Sequence, residues 1–221
     1  ELPRTAAGGL RLLKLRSLNG SIAVRGADQE EIAIRATKTV RAPTETAARD
    51  FATRVRISHT RIRDGFHVQS LYPRPPLGST VFVRFEITVP WTIDVDLFTH
   101  NGGIAISGVE GAIEAETRTG NIDVIDTLGP ATLATAAGTL RVQGVEGAID
   151  AKNGQGPIII EACTGHLKAR TARGGISMVA CAGELRARTY QGDIQALGIQ
   201  GGAELESGDG HVQARFDSLQ A

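Results

Sequence analysis

The sequence predicts an all-β fold, a single-chain β-solenoid (β-helix) of 18-residue coils with right-handed winding expected, plus one short helix in an N-terminal insertion. Three observations carry this. First, Gly111, Gly129, Gly147, Gly165, Gly183 and Gly201 stand 18 residues apart, and so do Gly102, Gly120, Gly138, Gly156, Gly174, Gly192 and Gly210. Second, apolar residues alternate within each copy, as in Ile113-x-Ala115-x-Thr117 and Ile122-x-Val124, and a period of two marks a strand. Third, successive copies pair one large and one small inward residue: Ile113/Ala115, Ala131/Leu133, Ile149/Ala151, Leu167/Ala169. A close-packed interior requires such constancy of volume per layer. A unit this short cannot bury its own apolar face, so the copies must stack on one shared core.

Taken from the N-terminus, the coil pattern begins near residue 10, with Leu13-x-Leu15-x-Ser17 followed by Gly20, Ile22 and Val24. Ile32-x-Ile34 is expected to continue it. A short amphipathic helix is predicted over 43–53, from Ala47, Ala48, Phe51 and Val55 at helical spacing with Pro43 near the start. Strands are predicted over 55–62 and 66–71, turning at Asp64-Gly65, and over 81–89 beyond a loop marked by Pro73, Pro75 and Pro76. Pro90-Trp91 then leads into seven regular repeats. The predicted organisation is one domain over 1–221, with irregular coils and the insertion over 10–90 and the regular repeats over 91–216. A solenoid end is an open sheet edge that needs covering. The helix can cap the N-terminal end or pack on a flank, and Phe216 and Leu219 can cover the other end.

Within the repeats, the column Thr99, Thr117, Thr135, Asn153, Thr171, Thr189, Ser207 precedes each corner glycine by three residues. These side chains are expected to bond nearby turn backbone. Two rival solenoids fail on residues. A hexapeptide helix would need aliphatics at 98, 104 and 110, which are Phe98, Ile104 and Glu110. An ice-binding face would need Thr-x-Thr on every coil, which only Thr117-x-Thr119 supplies.

The run Thr-x-x-Gly-x-Ile at 117–122, 171–176 and 189–194 resembles the bacterial β-strand-repeat family known as putative adhesins. The Val89-Pro90 lead-in and the turns at Asn19-Gly20 and Asn101-Gly102 are similar too, and the resemblance spans about 10 to 216. It implies a β-helical repeat domain, often exported or placed beside a membrane anchor, and it implies no catalytic residues.

Composition narrows the function. Lys plus Arg and Asp plus Glu are 24 each, so the chain lacks the cationic excess of a general nucleic-acid binder. No apolar run approaches the roughly 18 residues of a membrane span. Residue 1 is Glu, which leaves an upstream leader open. With 27 glycines and nine aromatics (six Phe, one Trp, two Tyr), the chain suits a narrow core with many tight turns.

Cys163 and Cys181 share a column with Val109, Thr127, Val145 and Ile199, so both are expected inward. Stacked Cα atoms about 4.8 Å apart would permit a disulfide, but parallel side chains aim poorly at one another, and free thiols are favoured. No further ligand shares the column, so neither a metal nor a cofactor is expected. The histidines His59, His67, His100, His166 and His211 fall in different columns; only His59 and His67 could meet, across the Asp64-Gly65 hairpin. Glu114 and Glu116 stand together, but Thr132 and Ala134 answer them in the next coil, which does not make the carboxylate cluster of a polysaccharide lyase. No enzyme activity and no catalytic residue are expected.

Lys152, Lys168, Arg170, Arg186 and Arg188 form one outward cationic patch over three coils. It reads as an anion-binding site for an acidic glycan or lipid headgroup, or as a solvated face balanced by Asp150, Glu204 and Glu206. The expected function is a non-enzymatic, extracytoplasmic repeat protein (periplasmic, cell-surface or secreted) presenting a surface for adhesion or assembly, with a cell-surface glycan or protein as partner. A glycan-binding β-helix is a narrower form of this. The alternative is a cytoplasmic or membrane-associated scaffold polymerising end to end, which would need a bare terminal coil.

Overall fold

The computed structural model describes residues 5–6 and 11–217. The chain runs through β1 (Thr5–Ala6), β2 (Leu12–Asn19), β3 (Ile22–Ala27), β4 (Glu31–Arg41), α1 (Glu45–Arg54), β5 (Arg56–Ile62), β6 (Gly65–Leu71) and β7 (Thr80–Pro90). Seven two-strand coils follow: β8 (Asp94–Asn101) with β9 (Ile104–Ser107), β10 (Ile113–Thr119) with β11 (Ile122–Leu128), and β12 (Ala131–Ala137) with β13 (Leu140–Glu146). The last four are β14 (Ile149–Gln155) with β15 (Ile158–Glu161), β16 (Thr164–Arg173) with β17 (Ile176–Val179), β18 (Ala182–Gln191) with β19 (Ile194–Ile199), and β20 (Ala203–Asp209) with β21 (Val212–Phe216).

The predicted 18-residue β-solenoid is the fold. Strands β8 to β20 of even number stack in parallel, Val95 beside Ile113 beside Ala131, and the odd-numbered strands stack likewise, Ile104 beside Ile122 beside Leu140. The alternate residues that sequence assigned inward are buried from Val95 and Leu97 down to Leu185 and Ala187, forming one continuous core. The corners need glycine because nothing else fits. Gly120 has φ +150°, and a Cβ there would stand 2.1 Å from the Gly102 carbonyl oxygen of the preceding coil. The Thr column bonds turn backbone as expected, but that of the coil before its own: Thr117 Oγ1 donates to the Gly102 carbonyl at 3.0 Å.

The N-terminal part departs from chain order. Strands β2 and β3 form a coil in register with β8 and β9, and Asn19 meets Asn101 at a separation of 82 residues. Outside that coil lie β6 and β7, parallel to β2 and β3 although later in the chain. Then β5 runs antiparallel to β6, and β4 antiparallel to β7. The expectation that Ile32 and Ile34 continue the coil is therefore corrected: both are buried, but in β4, where Ile34 pairs antiparallel with Ile87. An antiparallel strand ends the parallel ladder and supplies partners to the edge that a solenoid otherwise leaves open.

The helix starts at its Thr44 cap, whose Oγ1 accepts from the Ala47 N–H at 3.2 Å, just past Pro43. It packs against β4 at the N-terminal end and buries Phe51. In the hairpin, Thr60 lies opposite His67 and Val68 opposite His59, so the two histidines do not meet; the His59 ring sits 5.8 Å from that of Phe66. At the other end Phe216 belongs to β21 itself and is 50 % exposed, so it does not cover the last coil: a residue within the edge strand cannot shield that edge. Leu219 lies outside the described residues.

Candidate binding face

The outward residues of the even-numbered strands build one long, regular face. Alternation sends Glu114 and Glu116 out of β10 while Ile113, Ala115 and Thr117 go in, and the parallel register repeats this on each rung. Lys152, Arg170 and Arg188 are direct neighbours across β14, β16 and β18, as are Lys168 and Arg186. All five residues of the predicted patch thus occupy adjoining rungs.

Three of them are already paired. Lys152 contacts Asp150 at 3.3 Å, Arg186 contacts Glu204 at 3.4 Å, and Arg188 contacts Glu206 at 3.2 Å. Among the described residues, Lys168 and Arg170 make no ion pair. Each surface pair contributes little, of order 0–1 kcal/mol. The structure thereby supplies the balancing rims that the sequence anticipated and leaves two cations at the middle of the patch without an ion pair among the described residues, Lys168 having Asp150 as its neighbour on the adjoining strand.

The face continues beyond what the repeats revealed. Lys14 and Arg16 of β2 join it beside Asp96, at 3.0 and 2.6 Å. Partial burial works against the Asp96 carboxylate, but hydrogen bonds from Arg16 and Lys14 outweigh it and hold its pKa below the usual value. The Arg16 guanidinium also lies 5.9 Å above the Phe98 ring. Glu114 and Glu116 form an acidic rung that has no ion pair among the described residues. Next comes a rung of short side chains, Thr132, Ala134 and Ala136, flanked by hollows of about 450 Å³ towards Lys152 and about 270 Å³ towards Lys168. Tyr190 stands 72 % exposed beside Arg188. The opposite face carries a wider hollow, about 800 Å³, over Ala23 and Ala105 near the N-terminal end.

Of the remaining reactive groups, the two thiols are taken up in the core and His166 is paired, while the buried Nε2 of His67 has no hydrogen-bond partner. Cys163 and Cys181 are buried free thiols, and burial pushes Cys163 up to about 11 and Cys181 upward as well. His166 Nδ1 lies 3.2 Å from Glu184, and the backbone amide of His211 donates to Asp193 Oδ1 at 2.8 Å. Among the described residues no three His, Cys, Asp or Glu groups converge as a metal site would require, and no helix is long and apolar enough to cross a membrane.

Three solved structures are similar over almost the whole chain. One is a putative cell adhesion protein from Clostridium sporogenes, at 10 % identity and a TM-score of 0.34, covering 97 % of this chain and 98 % of that one. Another is a putative adhesin from Parabacteroides merdae, at 9 % identity and a TM-score of 0.28, covering 96 % of this chain and 95 % of that one. The third is a putative adhesin from Parabacteroides distasonis, at 8 % identity and a TM-score of 0.25, with the same coverage of 96 % and 95 %. No family model matches the sequence, and no curated protein matches it.

Proposed function

We propose that this solenoid is a non-enzymatic, extracytoplasmic surface-presenting protein whose even-strand face takes part in adhesion or assembly by engaging acidic groups, such as those of a surface glycan. The observation that carries this reading is the pair Lys168 and Arg170, adjacent rows of one strand, flanked by Lys152, Arg186 and Arg188 yet without an ion pair among the described residues. Like charges on adjoining rungs repel, and an incoming polyanion relieves that repulsion. The location outside the cytoplasm rests on the resemblance to the β-strand-repeat family. End-to-end polymerisation fits less well, because the antiparallel β4 and β5 close the N-terminal end to a further parallel coil.

Titration with heparin at low salt tests the reading. The parent is expected to bind, to release heparin as salt rises, and to lose most binding in a Lys168→Gln/Arg170→Gln variant of unchanged melting temperature. No binding by the parent, or equal binding by the variant, sinks it.

A further inference from the structure

The charge on this face has a hidden order. From the N-terminal side its rungs carry Lys14 and Arg16, then Asp96, then Glu114 and Glu116. Beyond the short Thr132 rung and the self-cancelling Asp150 and Lys152 come Lys168 and Arg170, Arg186 and Arg188, and last Glu204 and Glu206. The signs run positive, negative, negative, neutral, then neutral, positive, positive, negative. In these two columns the second half is the first read backwards with every sign inverted; the flanking columns add Asp94, His166 and Glu184 on one side and Arg118 on the other, outside that order.

A two-fold axis lying in the plane of the face, parallel to the strands and between β12 and β14, carries each rung onto its opposite number. Such an axis reverses the solenoid direction but keeps each residue's position along its strand. Glu114 then faces Lys168 of a second copy, and Glu116 faces its Arg170. One rung out, Asp96 meets Arg186 and the Phe98 ring meets the Arg188 guanidinium, while Asp94 comes opposite Glu184; beyond them Lys14 and Arg16 meet Glu204 and Glu206. We propose that this face is a self-complementary interface, and that its partner is a second copy of this chain bound about that two-fold axis.

Shape agrees with charge. The axis sets the β12 rung against β14, so Asp150 and Lys152 of one copy descend onto Thr132 and Ala134 of the other, where the hollows of about 450 and 270 Å³ give room. The charges without an ion pair among the described residues include the four inner ones, Glu114, Glu116, Lys168 and Arg170, and the axis brings these four together. The outer charges, already paired within the chain, would widen into four-membered networks. Eight rungs at ~4.8 Å and three outward residues per strand give a face of about 35 by 15–20 Å, or roughly 1,000–1,400 Å² buried in total. That lies at the small end of specific interfaces, so the dimer should dissociate on dilution. Isologous contacts of this kind close on themselves and do not grow into fibres.

The inference rests on the reading of this face as a contact surface and names the partner. Sedimentation velocity over about 10 µM to 1 mM tests it. At low salt the parent mass should rise with concentration from 23.3 kDa towards twice that, and fall back at high salt. Glu114→Lys/Glu116→Lys and Lys168→Glu/Arg170→Glu should each stay monomeric while retaining the parent's circular dichroism and melting temperature. A one-to-one mixture of the two variants should regain the dimer, because every inner contact is again between opposite charges; so should the four substitutions combined in one chain. A parent monomeric at every concentration overturns the proposal, and if that same protein binds heparin the surface reading stands without it. Dimers that survive either double substitution, or a mixture that stays monomeric, overturn it as well.

Discussion

Thr189 and Gly174 lie 15 residues apart in the chain, and the Thr189 hydroxyl donates to the Gly174 carbonyl at 3.0 Å, tying one coil to the turn of the coil before. The same bond recurs from Thr117, Thr135, Asn153, Thr171 and Ser207 at the same separation. Each donor in the Thr column from Thr99 to Thr189 is buried, so the donating group has little water to turn to. Thr189→Val keeps the volume and removes the donor. It should cost about 1–2 kcal/mol in urea melts, and Thr189→Ser should recover most of that. Equal midpoints for Val and parent would show that the bond adds nothing.

Glycine at the corners is a steric requirement that can be separated from glycine elsewhere. Gly156 has φ +129°, and a Cβ would lie 2.0 Å from the Gly138 oxygen, which is backbone and cannot swing away. Gly202 has nothing within 4 Å of a Cβ. Gly156→Ala should lose about 3 kcal/mol or more, and Gly202→Ala should stay within about 0.5 kcal/mol of the parent. Thermal melts of the two side by side decide the matter; similar shifts would contradict the stacked-carbonyl account.

The buried thiols give the protein an alkaline weakness. Burial raises Cys163 from 9.0 to about 11 in the folded chain, so below pH 9 both folded and unfolded states hold the proton and stability is unaffected. Between those values the unfolded state ionises and the folded state does not, so stability falls as pH rises, by about 2 kcal/mol at pH 10.5. Cys163→Val, matching Val109 and Val145 in the same column, should flatten that part of the profile. Denaturation at pH 8 and pH 10.5 measures it, and identical slopes for parent and variant would remove Cys163 as the cause.

The repeats made the fold legible because each column reports one position in the coil, sampled many times. What they could not report is direction. Ile32 and Ile34 alternate in and out as a coil strand does, and that pattern is the same whether the neighbour runs parallel or antiparallel. Nor could they report a coil whose partner is 82 residues away: Lys14 and Arg16 belong to the charged face but keep no 18-residue phase with it. The order of charge along the face was therefore invisible, although the five cations were found. A further column, 108 to 198, has left-handed backbone throughout, at φ from 50 to 66°. Asp126, Ala162 and Ala180 interrupt its glycines, and with half its members ordinary residues it left no mark in the sequence.

The detour of β4 to β7 has a cost in time. Closing the first coil, Leu13 on Val95, spans 82 residues where a regular coil spans 18, and the entropy of that larger loop adds about 1.3 kcal/mol. On a ribosome making about 5–20 residues per second, β2 therefore waits roughly 4–16 s for β8 to emerge. The part of the solenoid that is synthesised first thus waits longest for its partner, and through that interval its apolar strands depend on the β6 and β7 layer arriving to cover them.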